Sequence, residues 1–309
     1  MLCGQPILET QEMLPLRSIC KPQYFFRPRW VLRKLLRNLV PAVAQTTVRL
    51  PWGAKLEVDT RDTVGHAIAS QGVYDIVTSE VLWRVTDLTD RTMDVGANIG
   101  YFTSLLAHRV GHAGQVLAFE PHPETYSILQ RNVALQERRG SCISAFNVAL
   151  SNAEGEAILD MLPGDSSNTS HAFLNSQPSS TSIAVRTSRG ERYVDRDKDV
   201  GVLKIDAQWH EAAILEGFGG YLSSRKIRDI VFEEEAPFPA QSHSVLLDAG
   251  YSILWFEEHF RGPKIIAPSS KPRNLRPYDL LPSYLATLDP KRAEQRLSAS
   301  GWQCFCPSL

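Results

Sequence analysis

Apolar and polar positions along the chain follow two periods in turn, and the changes of period mark out an α/β domain. Between residues 48 and 58, Val48, Leu50, Leu56 and Val58 alternate with polar neighbours around Pro51-Trp52-Gly53, which predicts a β-hairpin. Residues 66–72 and 76–85 carry helical spacing on either side of Gly72-Val73-Tyr74-Asp75. Residues 93–95 then end a short apolar run, Phe102, Leu105, Leu106 and Val110 recur on one helical face, and 116–119 is apolar again. Pro123 launches a helix to residue 136, with Tyr126, Leu129 and Val133 on one side. Residues 142–150 read as a third strand, 157–161 and 183–186 as short ones, and 200–206 as the apolar central strand. A helix over 210–222, a fifth strand over 227–232, a helix over 242–249 and closing strands at 251–256 and 264–267 complete the pattern. Such an alternation predicts a mostly parallel sheet with helices on both faces.

Three stretches fall outside this pattern. Trp30, Val31, Leu35, Leu36, Leu39 and Val40 form an apolar stripe interleaved with Arg29, Arg33, Lys34 and Arg37. They describe a basic amphipathic helix, docked on the main domain or, through residues 29–40, resting on an acidic membrane surface. Residues 163–182 are rich in Ser, Asn, Pro and Gly, and read as a flap near an acceptor site, closing with His171 and Phe173, or as a surface loop. Recurrent prolines after 268 predict a tail. The expected division is an arm (1–47), a central domain (48–268) and a Pro-rich tail (269–309).

The chemistry concentrates at the turn between the first parallel strand and its helix. Gly96 and Gly100 in Gly-Ala-Asn-Ile-Gly let backbone approach a ligand closely, because neither carries a β-carbon. Asp94 precedes the turn, and Glu120 closes the next strand, about 20 residues on, where a ribose-binding carboxylate sits in nucleotide folds. A structural turn is the plain alternative, but the two acids favour an adenosine-containing cofactor. Dinucleotides need Gly-x-Gly-x-x-Gly to seat a pyrophosphate on the helix N-terminus. Here Asn98 occupies the middle position and the third glycine is missing. S-adenosylmethionine (SAM) carries no phosphate and makes no such demand.

Asp-Val-Gly-Ala-Asn-Ile-Gly-Tyr-Phe (94–102) followed by Ala-Phe-Glu-Pro-His-Pro (118–123) resembles the FkbM family of SAM-dependent methyltransferases. Asn147-Val148-Ala149, Lys204-Ile205-Asp206 and Gly250-Tyr251 agree with it in order, so the resemblance covers roughly 50–256. It implies a class I methyltransferase, Rossmann-like fold with a mostly parallel seven-stranded sheet. It further implies SAM held by Tyr74, Asp94, Gly96, Ala97, Asn98, Gly100, Tyr101, Glu120, Pro121, Asn147, Val148, Ala149 and Asp206. Ala149 would leave room for the adenine ring, and Tyr74 would lie on a lip over the pocket. The acceptor implied is a hydroxyl of a small molecule or sugar.

Transfer to a hydroxyl needs alignment, exclusion of water and a base or metal within reach. Asp206, His210 and Glu211 are the catalytic candidates, each with a structural alternative as a cap, a solvated residue or a partner of the helix dipole. The family pattern Lys-Ile-Asp-x-Glu-Gly-x-Glu is altered here, since Gln208 replaces an acid and Trp209 a glycine. Either base duty has moved to His210 or catalysis is weakened. A SAM-binding module with impaired turnover is therefore one rival reading, and an NAD(P)-dependent Rossmann oxidoreductase is the other.

Composition narrows the partners. Lysine plus arginine (33) balances aspartate plus glutamate (34), so net charge gives no reason to expect nucleic acid. The five cysteines show no metal-ligand spacing, and no metal-ligating residues are assigned. No apolar run is long enough to span a bilayer, and the first residues lack a secretory pattern, which suggests the cytoplasm.

Overall fold

A computed structural model of the chain describes residues 44–136, 142–161, 172–175, 182–266 and 283–305. The basic helix expected at 27–40 and most of the expected flap lie outside them. The hairpin forms from β1 (Thr46–Arg49) and β2 (Lys55–Val58), and is followed by α1 (Thr63–Gln71) and α2 (Ile76–Val85). Asp62 and Asp75 start these helices by accepting backbone N–H groups of the first turn, as N-caps do. Then come β3 (Arg91–Val95), α3 (Tyr101–Val110), β4 (Gln115–Phe119), α4 (Pro123–Ala134) and β5 (Ile143–Phe146).

After β5 the chain leaves the main sheet. β6 (Ala149–Leu150), β7 (Gly155–Met161), β8 (Ala172–Asn175) and β9 (Ile183–Ser188) build a small second sheet in the order β6-β9-β7-β8. The single strand expected over 142–150 is therefore two, interrupted at Asn147 and Val148. The main sheet resumes with β10 (Val200–Ile205), then α5 (Glu211–Glu216), α6 (Gly219–Ser223), β11 (Ile227–Glu233), α7 (Gln241–Asp248), β12 (Ser252–His259), β13 (Gly262–Ile266), β14 (Ser283–Thr287) and α8 (Pro290–Leu297).

The main sheet has eight strands in the order β13-β12-β14-β11-β10-β3-β4-β5. β5, β4, β3, β10 and β11 run parallel, while β14 is antiparallel to both β11 and β12. This is the class I methyltransferase sheet with β13 added as a hairpin on its edge. Two expectations need correction. The sheet has one strand more than the seven expected, and residues 283–287, expected in a tail, form its strand β14. All five residues of β14 are buried, and its Tyr-Leu-Ala centre fills the space between β11 and β12. The helix expected over 210–222 is also divided, at Gly217-Phe218.

Successive strand residues face opposite layers. Val202 and Val231 join the core under α1, α2 and α3, while Leu203, Ile205, Ile230 and Phe232 join the core under α5, α6 and α7. On the first face a buried ion pair fastens the C-terminal segment. Glu80 and Arg84, one turn apart on α2, meet at 2.6 Å with both side chains almost fully buried. Arg84 also donates to the carbonyls of Arg296, Leu297, Ala299 and Gly301, and Glu80 accepts from the N–H groups of Gln303 and Cys304. No helix among the described residues is long and apolar enough to cross a membrane.

Candidate cofactor and acceptor site

The parallel strands end together, and the loops after β4, β3, β10 and β11 lie side by side at that edge. Open α/β sheets collect ligands outside such carboxyl ends. At the turn after β3, Gly96 (φ +70°), Asn98 (φ +50°) and Gly100 (φ +93°) all adopt left-handed backbone. The N–H groups of Gly96 and Ala97 both donate to the carbonyl of Phe119, which pins the turn to β4. A β-carbon on Gly96 would sit 1.8 Å from the main-chain oxygen of Asp206. Glycine is thus required by the packing of β3 against the end of β10, in addition to any need of a ligand.

Glu120 is buried at the end of β4. One carboxyl oxygen accepts the N–H of Asn98 and the other that of His122, each at 2.9 Å. Each oxygen keeps a lone pair, which is what two vicinal hydroxyls require. Burial pushes this carboxyl up to about 7, against the pull of the two N–H donors and of Lys204. A buried acid held this way, beside a glycine turn with no dinucleotide fingerprint, fits the nucleoside of SAM.

Beneath the turn lies a group whose role the sequence reading missed. Lys204, fully buried, contacts Asp94 at 3.2 Å and Asp206 at 3.6 Å, and donates to the carbonyl of Gly96 at 3.0 Å. Burial works against its charge, but Asp94 and Asp206 outweigh it and raise its pKa. Asp94, its register partner on β3, also accepts from Thr103 at 2.6 Å, so this acid braces the turn from below. The signal was present: a lysine inside Val-Gly-Val-Leu-Lys-Ile, a strand buried on both faces, has to be paired.

Several expected cofactor contacts stand one step back from the edge. Tyr101 is buried, with its hydroxyl 2.9 Å from that of Ser79 and its ring edge-on to Trp52, Phe102 and Tyr74. It supports the half-buried Tyr74, whose hydroxyl burial holds above its ordinary pKa, helped by nearby Asp206, Glu233 and Asp75. Asn147 spends both amide hydrogens on the carbonyls of Glu120 and Pro121, tying the end of β4 to that of β5. Val148 is buried, and Ala149 packs with Leu159 and Val185 in the core of the second sheet.

The three catalytic candidates separate. Asp206 stays partly exposed beside Lys204. His210 meets the Ser151 hydroxyl through Nε2 at 3.0 Å, and burial lowers its pKa. Glu211 is buried, accepts the N–H of Ala207 at 3.2 Å, and is raised to about 7 by burial, with Asp206 and Glu234 adding to the shift. Gln208 and Trp209 both take positive φ, +44° and +65°, and the Trp209 side chain is 54% exposed. That left-handed backbone explains why glycine suits the Trp209 position in the family pattern.

Two further acids reach this edge: Asp75, which the sequence does not single out, and Glu233, whose run Glu233-Glu234-Glu235 reads from sequence as a solvated face that could also meet the acceptor or recruit a cation. Asp75, buried at the start of α2, caps Val77 and Thr78. Glu233, at the end of β11, is partly buried, and its charge interacts with those of Asp206, Asp75 and Glu211. Among the described residues no group of three or more His, Cys, Asp or Glu side chains is placed to hold a metal ion.

The methyltransferase FkbM domain model matches residues 94–253, just over half of the chain. The protein belongs to the FkbM methyltransferase family. The matched span contains every strand-end loop of the site, from Asp94 through Glu120 and Asp206 to Glu233. Among curated proteins, the chain is 22% identical over 197 residues to the hexuronic acid methyltransferase AglP of Haloferax volcanii, covering 63% of this chain and 75% of that protein. It is 27% identical over 143 residues to the methyltransferase sdnD of Sordaria araneosa, covering 46% of this chain and only 53% of the relative's length. Among solved structures it is similar to a methyltransferase FkbM from Methylobacillus flagellatus (TM-score 0.40, 14% identity, 64% of this chain and 43% of that one). A SAM-dependent O-methyltransferase from Thermotoga maritima is comparable (TM-score 0.41, 12% identity, 80% of this chain and 94% of that one).

Proposed function

We propose that the protein is a SAM-dependent methyltransferase whose acceptor is a hydroxyl of a small molecule or sugar. The observation that carries this reading is the Glu120 carboxyl, fixed by two backbone N–H groups beside a glycine turn that lacks the dinucleotide fingerprint. SAM supplies an electrophilic methyl group on a sulfonium. The residues of this chain do the rest. Glu120 accepts the ribose hydroxyls, and the turn at 96–100 admits the nucleoside. Lys204 and Asp94 keep that turn rigid, and Asp206 lies next along the sheet toward the reacting end. His210 and Glu211, with polar atoms committed to Ser151 and Ala207, position the loop after β10.

A hydroxyl acceptor follows from the family resemblance, and a relative named as a hexuronic acid methyltransferase supports a sugar. Placement in the cytoplasm belongs to the same proposal. Isothermal titration with SAM, S-adenosylhomocysteine (SAH) and NAD tests the reading. Micromolar binding of the first two and none of NAD is expected, while binding of NAD alone would overturn it in favour of an oxidoreductase. A second reading, a SAM-binding module with impaired transfer, is favoured by the strained, exposed Trp209 where the family pattern has glycine. It predicts normal SAM affinity with no transfer to any acceptor, and recovery on combining Gln208→Glu with Trp209→Gly.

A further inference from the structure

The strand ends form a sequence in space. Glu120 closes β4, the glycine turn closes β3, Asp206 follows β10, and Glu233 closes β11, in the neighbouring order β4-β3-β10-β11. Adjacent strands lie about 4.8 Å apart. With ribose on Glu120, a cofactor lying over the turn after β3 would point its reacting end toward β10, and β11 is the next strand beyond it. Ile205 and Phe232 are register partners, so Asp206 and Glu233, each one residue further on, sit side by side at the edge.

Four carboxyls meet there, and three are committed. Asp206 faces Lys204, Asp75 caps the first turn of α2, and Glu211 holds the N–H of Ala207. The Glu233 carboxyl has no hydrogen-bond donor among the described residues, while its backbone pairs with Ser283 of β14. The charged and titratable groups around it are Asp206 and Lys204 of β10 and its loop, Glu211 of α5, Asp75 at the start of α2, and Tyr74 just before it.

We propose that Glu233 is the residue that meets the acceptor and takes its proton, an assignment that rests on the methyltransferase reading above. The acceptor oxygen gives its proton to the Glu233 carboxylate and uses a lone pair to form the new O–CH3 bond. The breaking C–S bond leaves its electron pair on sulfur. Burial, reinforced by Asp206 and Asp75, holds this carboxyl well above the usual range, which makes its carboxylate form a stronger base than an ordinary one.

The test needs no acceptor. SAM carries a positive sulfonium and SAH a neutral thioether, so a carboxylate facing the reacting end favours SAM over SAH. Their affinities are measured by titration calorimetry as a function of pH, upward from pH 6. In the wild type the preference for SAM should grow as Glu233 ionises. Glu233→Gln should remove about fourfold or more of it at high pH, the factor for unit charges about 5 Å apart in water, and flatten its pH dependence. Glu233→Asp should retain both. SAH affinity reports whether each variant is folded. A preference in Glu233→Gln that matches wild type, with both ligands bound, would overturn the assignment of Glu233 alone. Failure of the wild type to bind either ligand would instead overturn the methyltransferase reading.

Discussion

Glu120 makes the binding of SAH depend on pH in a way that can be worked out beforehand. In the ligand-free protein burial raises its carboxyl to about 7 from an ordinary 4.5. The folded protein therefore favours the protonated form. The group's contribution to stability is fully present below about pH 4.5 and is lost as pH rises through 7, to a total of roughly 3 kcal/mol. Charge-assisted hydrogen bonds from two ribose hydroxyls favour the ionised form instead. If only the ionised form grips the ribose, affinity scales with its fraction, about one tenth at pH 6 and nine tenths at pH 8. The dissociation constant of SAH should fall about tenfold across that interval. SAH is the right ligand because its neutral sulfur is insensitive to Glu233. Glu120→Gln should bind SAH more weakly at pH 8 by about 1–3 kcal/mol and lose most of the pH dependence. Titration calorimetry at half-unit steps reads both effects. A Glu120→Gln protein that keeps the tenfold change would refute the reasoning, since the titrating group would then lie elsewhere.

Arg84→Met leaves Glu80 buried without its cation and four carbonyls without their donor, so a loss of about 3–5 kcal/mol is expected. Thermal unfolding should show a fall in Tm on the order of 10 °C, and a change within 2 °C or so would contradict the clamp. Gly96→Val would bring its β-carbon to 1.8 Å from the Asp206 main-chain oxygen, so the variant should lose about 2–5 kcal/mol of stability along with SAH binding. A Tm equal to wild type would show that β10 yields more easily than its packing implies. Trp209→Gly relieves a left-handed tryptophan worth about 1–2 kcal/mol, offset by about 0.5–1 kcal/mol of added chain entropy. Chemical denaturation should show a small net gain, and a loss above about 1 kcal/mol would mean that the indole supports the loop.

The parts of this molecule that were legible in the sequence are those set by neighbours along the chain. The run from Asp94 to Glu120 carries strand, turn, helix and strand in one local pattern, and its glycines announce the left-handed turn. The parts that were not legible depend on partners distant in sequence. β14 is five residues after a proline-rich stretch, and only its position between β11 and β12 makes it a strand of the core. Glu233 belongs to Glu-Glu-Glu, which reads as a solvated run until Asp206 and Asp75 are brought beside it. Ala149 matched a family motif, yet the interruption after β5 turns it into another sheet. His210 looked like an available base because nothing nearby in sequence reveals Ser151, 59 residues earlier, against its ring.

The most direct test of the account is a crystal structure of the protein with SAH. It should place both ribose hydroxyls within about 3 Å of the Glu120 carboxyl oxygens, with the nucleoside over the turn at 96–100 and the sulfur directed toward Asp206 and Glu233. A nucleoside bound elsewhere, or a Glu120 carboxyl with no contact to the ligand, would contradict it.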